Sequence, residues 1–180
     1  DYPGDTTMNY QGQVDLFYYA DATDVGSSYA SDTWIIAGNL FGQSVVDEFE
    51  IASLVAVYYD RVIDYGRVPL GTDSAIQTMT FTSIGNRTVN ISQTSSGDFI
   101  CDRSGSYPIP LTQLKYHLTK PDFAWDDSTA QTVTQLALLP INLLPETAQT
   151  IYYRLRVPTG NYHGQCSNTL TFTAIAEEAV

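Results

Sequence analysis

Apolar and polar residues alternate with period two through most of this chain, most plainly from Met8 to Ala22, MNYQGQVDLFYYADA. Met8, Tyr10, Gly12, Val14, Leu16, Tyr18, Ala20 and Ala22 take one parity, and mostly polar residues take the other, with Phe17 and Tyr19 as exceptions. That is the period of a half-buried β-strand. At about 3.3 Å per residue such a strand would run roughly 50 Å, where five or six residues is usual. The stretch is therefore expected to divide near Gly12. Residues 1–13 would form an extension and residues 14–180 a single domain, with Val14, Leu16 and Tyr18 facing its core. The same pattern also fits one long edge strand bent or bulged at Gly12.

Beyond it, DATDVGSSYASD reads as a loop and TWIIAGNLFG as a short strand ending in a turn. Val45–Tyr59 is apolar, with acids confined to its start. Ile51, Val55 and Tyr58 also fit helical spacing, but Val, Ile and Tyr dominate and favour strand. A short strand around Ile63 reaches Gly66, Pro69-Leu70-Gly71 turns, and Ile76–Ser83 alternates. Gly85-Asn86 then reverses the chain into a hairpin with Thr88–Gln93. IPLTQLKYHL, IYYRLRV and TLTFTA supply later strands, the last with Leu170, Phe172 and Ala174 inward. Eight to ten strands at this spacing predict an all-β antiparallel sandwich of jelly-roll or immunoglobulin-like type.

Charge changes the picture of partners. The net charge is -12, and the first sixty residues hold ten Asp or Glu and no Lys or Arg. Such a face repels nucleic acid and anionic lipid, so neither is expected as a partner. Abundant Ser, Thr and Tyr, two Lys and a start at Asp1 rather than Met point to a processed, exported chain. IASLVAVYY from Ile51 and LALLPINLLP from Leu136, the latter broken by Pro140, are too short to span a bilayer as helices. In an exported protein Cys101 and Cys166 are expected to form a disulfide.

Candidate chemistry is sparse. His117 and His163 stand alone, and HExxH, GxSxG and P-loop patterns are absent. The carboxylates at Asp47, Glu48, Glu50, Asp126 and Asp127 read as solvated edges, and LPETA, Leu144–Ala148, imitates a sorting signal ahead of a predicted core strand. The chain is expected to be no enzyme and to need no cofactor. Asp21 and Asp24 offer hard oxygen ligands for calcium but lack an EF-hand spacing. NRTVNIS carries two N-glycosylation acceptors, Asn86 and Asn90, expected on one outward face with Val89 and Ile91 turned inward.

Asp64–Ser92, with its Ile84-Gly85-Asn86 corner, resembles archaeal surface-protein β-sandwich modules. The close, Pro158-Thr159-Gly160-Asn161-Tyr162-His163-Gly164 followed by Thr169–Ala174, resembles that of the same modules and of the TasA and camelysin group of biofilm fibre proteins. The archaeal bundling pilins are the nearer comparison. That resemblance implies a sandwich lacking one strand, completed by the N-terminal extension of another copy. Here the donor would be roughly Tyr2–Gln13, with Met8, Tyr10 and Val14 entering the neighbour and Gly12 at a close approach or bend. The implied function is a subunit of an extracellular pilus-like or biofilm filament, glycan-decorated and secreted. The alternative is a cell-surface module that binds carbohydrate or a protein partner on a platform built from Trp34 or Trp125 and surface tyrosines.

Overall fold

The computed structural model describes residues 20–24, 29–30, 32–40, 43–59 and 62–177. Met8, Tyr10, Gly12 and Val14, and with them the expected donor strand, lie outside the described residues. The described chain is an antiparallel β-sandwich. One sheet has the order β3 (Val57–Tyr59), β4 (Gln77–Ser83), β10 (Ala148–Leu155), β7 (Leu114–His117), β8 (Gln131–Thr132). The other has the order β12 (Leu170–Ala176), β5 (Val89–Ser95), β9 (Leu136–Leu143). Two small ladders stand beside them: a hairpin of β1 (Trp34–Leu40) with β2 (Gln43–Phe49), and β6 (Ile100–Cys101) with β11 (Cys166–Ser167).

Alternation places the core. Met79, Phe81 and Ser83 of β4, Val89, Ile91 and Gln93 of β5 and Ile151, Tyr153 and Leu155 of β10 are buried, each two residues from the next. The sheets meet through Tyr59, Phe81 and Phe172, whose ring centroids lie 4.9–5.6 Å apart in tilted and edge-on contacts. Leu170, Phe172 and Ala174 turn inward as expected, while the threonines between them are exposed. β9 keeps Pro140 because it is paired on one side, by β5, among the described residues. Two steps along β5, from Asn90 to Ser92, also span four along β9, from Asn142 to Leu138, so the proline sits in a bulge.

Three expectations need correction. Val45–Tyr59 is not one strand: β2 ends at Phe49, β3 begins at Val57, and residues 50–56 join no ladder. Side chains take the backbone groups there instead. Thr23 Oγ1 accepts from the Ile51 amide, Asp24 Oδ2 from Ser53 and Asn86 Oδ1 from Leu54. The stretch around Ile63 also joins no ladder. Residues 62–70 form a strap that turns at Gly66, where φ is +61° and the amide donates to Asp64 Oδ1, and whose Ile63, Tyr65 and Val68 pack against the core. Finally, Gly85-Asn86 does not close a hairpin. β4 and β5 belong to different sheets, and the turn is an arch that carries the chain from one to the other. Both strands face the same core, so their alternation suits either arrangement. Gly85 is required there by close approach: a Cβ would lie 2.2 Å from the Leu54 carbonyl oxygen.

Candidate functional site

The arch also overturns one glycan acceptor. Asn86 is 7% exposed, and its Nδ2 donates to the Ala20 and Ala52 carbonyls at 2.8 and 3.1 Å. Its Oδ1 accepts from the Leu54 amide at 2.7 Å. A sugar on Nδ2 would replace one of those donors and has no room, so the folded chain excludes a glycan at Asn86. Asn86 stands in the arch rather than on the strand, which is why its parity with Asn90 did not place it outward. Asn90 is half-buried on the outward parity of β5, opposite Ile175 of β12 and Asn142 of β9.

Cys101 and Cys166 are bonded to each other as directly opposed residues of β6 and β11. Around them the 101–107 and 161–167 segments are tied by Asp102 N to Gln165 O and Tyr107 N to Asn161 O, by His163 N to Ser106 Oγ, and by an edge-on contact of Tyr107 with Tyr162. This braced flap forms one wall of a groove of about 800 Å³. The strap forms the other wall, with Phe99, Ile109, Leu155 and Val157 also lining the groove. The strap is held at its C-terminal end, where the Gly71 amide donates to the Val157 carbonyl and Gly71 sits at φ +73° in the turn closed by Thr72 N to Pro69 O. From 62 to 68 it has no backbone–backbone hydrogen bond among the described residues.

A cavity of about 380 Å³ adjoins the groove and reaches between the sheets, bounded by Tyr59, Met79, Leu114, Leu170 and Phe172. Ile63, Tyr65, Phe99 and Asn168 line both spaces. Tyr65 Oη is buried with no hydrogen-bond partner, and burial pushes its ionisation far above the ordinary tyrosine range. Tyr153 Oη donates to Gln93 Oε1 at 3.0 Å, leaving Gln93 Nε2 buried without an acceptor. Burial raises Tyr153 further still, with Tyr65 and Tyr116 adding to the effect.

Backbone on free edges is the second feature. Among the described residues β12 and β9 each pair only with β5, so neither edge of the three-stranded sheet has a ladder partner among them. On the outer face beside the β9 edge, Leu136 and Leu138 are 72% and 67% exposed. The β1–β2 hairpin is apolar on both faces, with Ile35 and Val46 exposed on one and Ile36 on the other.

The remaining candidates are committed to structure. Trp125 makes cation–π contacts with Lys115 Nζ and the Arg156 guanidinium, 4.3 and 4.1 Å from the ring centroid, and its Nε1 donates to the Gln113 carbonyl. Trp34 stacks on Phe49 and donates to the Asp21 carbonyl. Both Asp24 oxygens accept from Ser53, which holds its carboxyl below the usual carboxylate range and leaves it committed to Ser53 rather than to calcium. His117 Nδ1 accepts from the Thr119 and Lys120 amides, so its proton sits on Nε2, facing Thr129 Oγ1.

Thr129 in turn donates to Asp127, which also pairs with Lys120. Lys120 first, and then Thr129, hold the Asp127 carboxyl well below the usual carboxylate range. A lowered folded value means that this brace stabilises fully above the ordinary Asp pKa of about 4 and is lost as pH falls toward the lowered one. A carbon-detected titration of Asp127 should give a midpoint well below that of an ordinary Asp. An ordinary midpoint would contradict the brace.

Sequence reasoning missed the strap and Tyr65. The signal was present in IDYGRVPLG, where alternate apolar residues lead into a turn, but the pattern does not tell a laddered strand from an unladdered one. Compared with protein-family models, curated proteins and solved structures, the chain gives no match.

Proposed function

We propose that this chain is a structural, non-catalytic subunit of an extracellular filament, pilus-like or of biofilm type, assembled head to tail by strand addition. Residues 1–13 of one copy are the donor, with Met8, Tyr10 and Val14 entering the next copy and Gly12 at the bend. The observation that supports this reading is the unequal sandwich: among the described residues five strands face three, and neither edge of the three-stranded sheet has a ladder partner. An added strand satisfies such an edge and inserts alternate side chains into the core. A head-to-tail contact of this kind does not close and so propagates. The disulfide, and the absence among the described residues of any helix long and apolar enough to cross a membrane, agree with an extracellular setting. Asn90 is the remaining acceptor for a glycan on the fibre surface.

Removing residues 1–12 tests the reading. The truncated protein is expected to stay folded and monomeric under conditions in which the full chain polymerises. Normal fibres from it would overturn the proposal.

A further inference from the structure

We propose that the inner cavity is a binding site for a neutral aromatic small molecule that carries a hydroxyl, admitted by displacement of the 62–68 part of the strap. Size is the first ground. Protein interiors are packed closely enough to leave few voids larger than a water molecule, whereas about 380 Å³ lies in the range of small-molecule sites. The space is also reached from outside, because Ile63, Tyr65, Phe99 and Asn168 line both it and the groove.

The lining selects the chemistry. Four aromatic side chains, Tyr59, Tyr65, Phe99 and Phe172, border the cavity, and Tyr59 and Phe172 already meet edge-on at 5.6 Å. A further ring gains edge-on and offset contacts with such a set beyond the area it buries. No Asp, Glu, Lys, Arg or His lines the cavity, so an ionised ligand would lose its hydration there with no opposite charge in return. On the strap side of the entrance Asp64 offsets Arg67.

The strap supplies both the gate and a partner for the hydroxyl. From 62 to 68 its backbone makes no hydrogen bond to another backbone group among the described residues, and the Gly66 amide is satisfied within the strap by Asp64. Moving it therefore breaks side-chain packing and no ladder, while the disulfide braces the opposite wall. With the strap closed, Tyr65 Oη is buried without a partner, a costly arrangement. Outward movement returns that phenol to hydrogen-bonding contact with what enters, and a phenol pairs with a hydroxyl as donor or as acceptor. Asn168 does not compete, since its amide is already committed to Ser95 and to the Gly97 carbonyl.

The test uses the two methionines of the chain, Met8 and Met79, of which Met79 lines the cavity. The full chain, labelled with carbon-13 in its methionine methyls, is titrated separately with naphthalene, 2-naphthol and 2-naphthoate at neutral pH, and Met79→Leu assigns the two signals. The Met79 methyl is expected to shift saturably with both neutral rings, the naphthol binding roughly fivefold tighter for its one added hydrogen bond. The naphthoate is expected to bind roughly tenfold more weakly than the naphthol. No saturable Met79 shift with either neutral ring would overturn the site, and naphthoate binding as tight as that of the naphthol would overturn its selection for neutral ligands. Equal affinity for naphthalene and naphthol would overturn the role of the hydroxyl. Tyr65→Phe examines the partner: the variant is expected to resist denaturant at least as well as the native chain, because an unpartnered buried phenol is removed, and to bind the two neutral rings equally. A retained preference for the naphthol would remove Tyr65 as its partner.

Discussion

Asn86→Ala is expected to be among the most damaging single substitutions outside the hydrophobic core, lowering stability by about 2–4 kcal/mol in a denaturant titration. One side chain makes three hydrogen bonds that hold the 51–56 stretch and the residues beside Ala20 against the arch. Truncation removes all three bonds from a partly solvated stretch, in which Ala52 and Leu54 are exposed, so each lost bond costs about 0.5–1.5 kcal/mol. Asn86→Asp separates hydrogen bonding from packing. It keeps the shape and the acceptor for Leu54 but turns a carboxylate toward the Ala20 and Ala52 carbonyls, so it should be no better tolerated than alanine. If Asn86→Asp were near wild type, the three-bond account of the arch would be wrong.

Replacing both cysteines by serine should cost about 4 kcal/mol, since the Cys101–Cys166 bond spans 65 residues. The effect has a local part as well. The bond closes a ladder of two residues per strand, too short to persist alone, and that ladder holds the 161–167 wall of the groove. Amide exchange in the variant should therefore quicken first at Asp102, Tyr107 and Gln165, well before β4, β5 or β10. Uniform loss of protection across the sandwich would show that the disulfide stabilises only through the unfolded chain.

How much of this was legible in the sequence follows from what periodicity encodes. Alternation identifies the buried face of a strand, and it placed β4, β5 and β12 with their inward residues. It does not name the neighbour across the ladder. Phe81 and Ile91 face one core whether β4 and β5 pair as a hairpin or lie in opposite sheets, and so the Gly85-Asn86 turn was read as closing the wrong unit.

Nor does alternation say whether a run is paired at all. Ile63, Tyr65 and Val68 bury themselves like strand residues, yet the strap that carries them has no ladder, and the groove exists because of that. Asn86 looked like a surface acceptor because its sequon is a local pattern, whereas its burial depends on Ala20, Ala52 and Leu54, distant in sequence. The disulfide was legible because two cysteines leave only one pairing within a chain. The unequal sheets, which carry the functional reading, came from topology alone.

The most direct test of that reading is negative-stain electron microscopy of the purified full chain across a range of concentrations. The account predicts unbranched fibres with an axial repeat of a few nanometres, close to the length of one sandwich. Dispersed particles of single-subunit size at every concentration would contradict it.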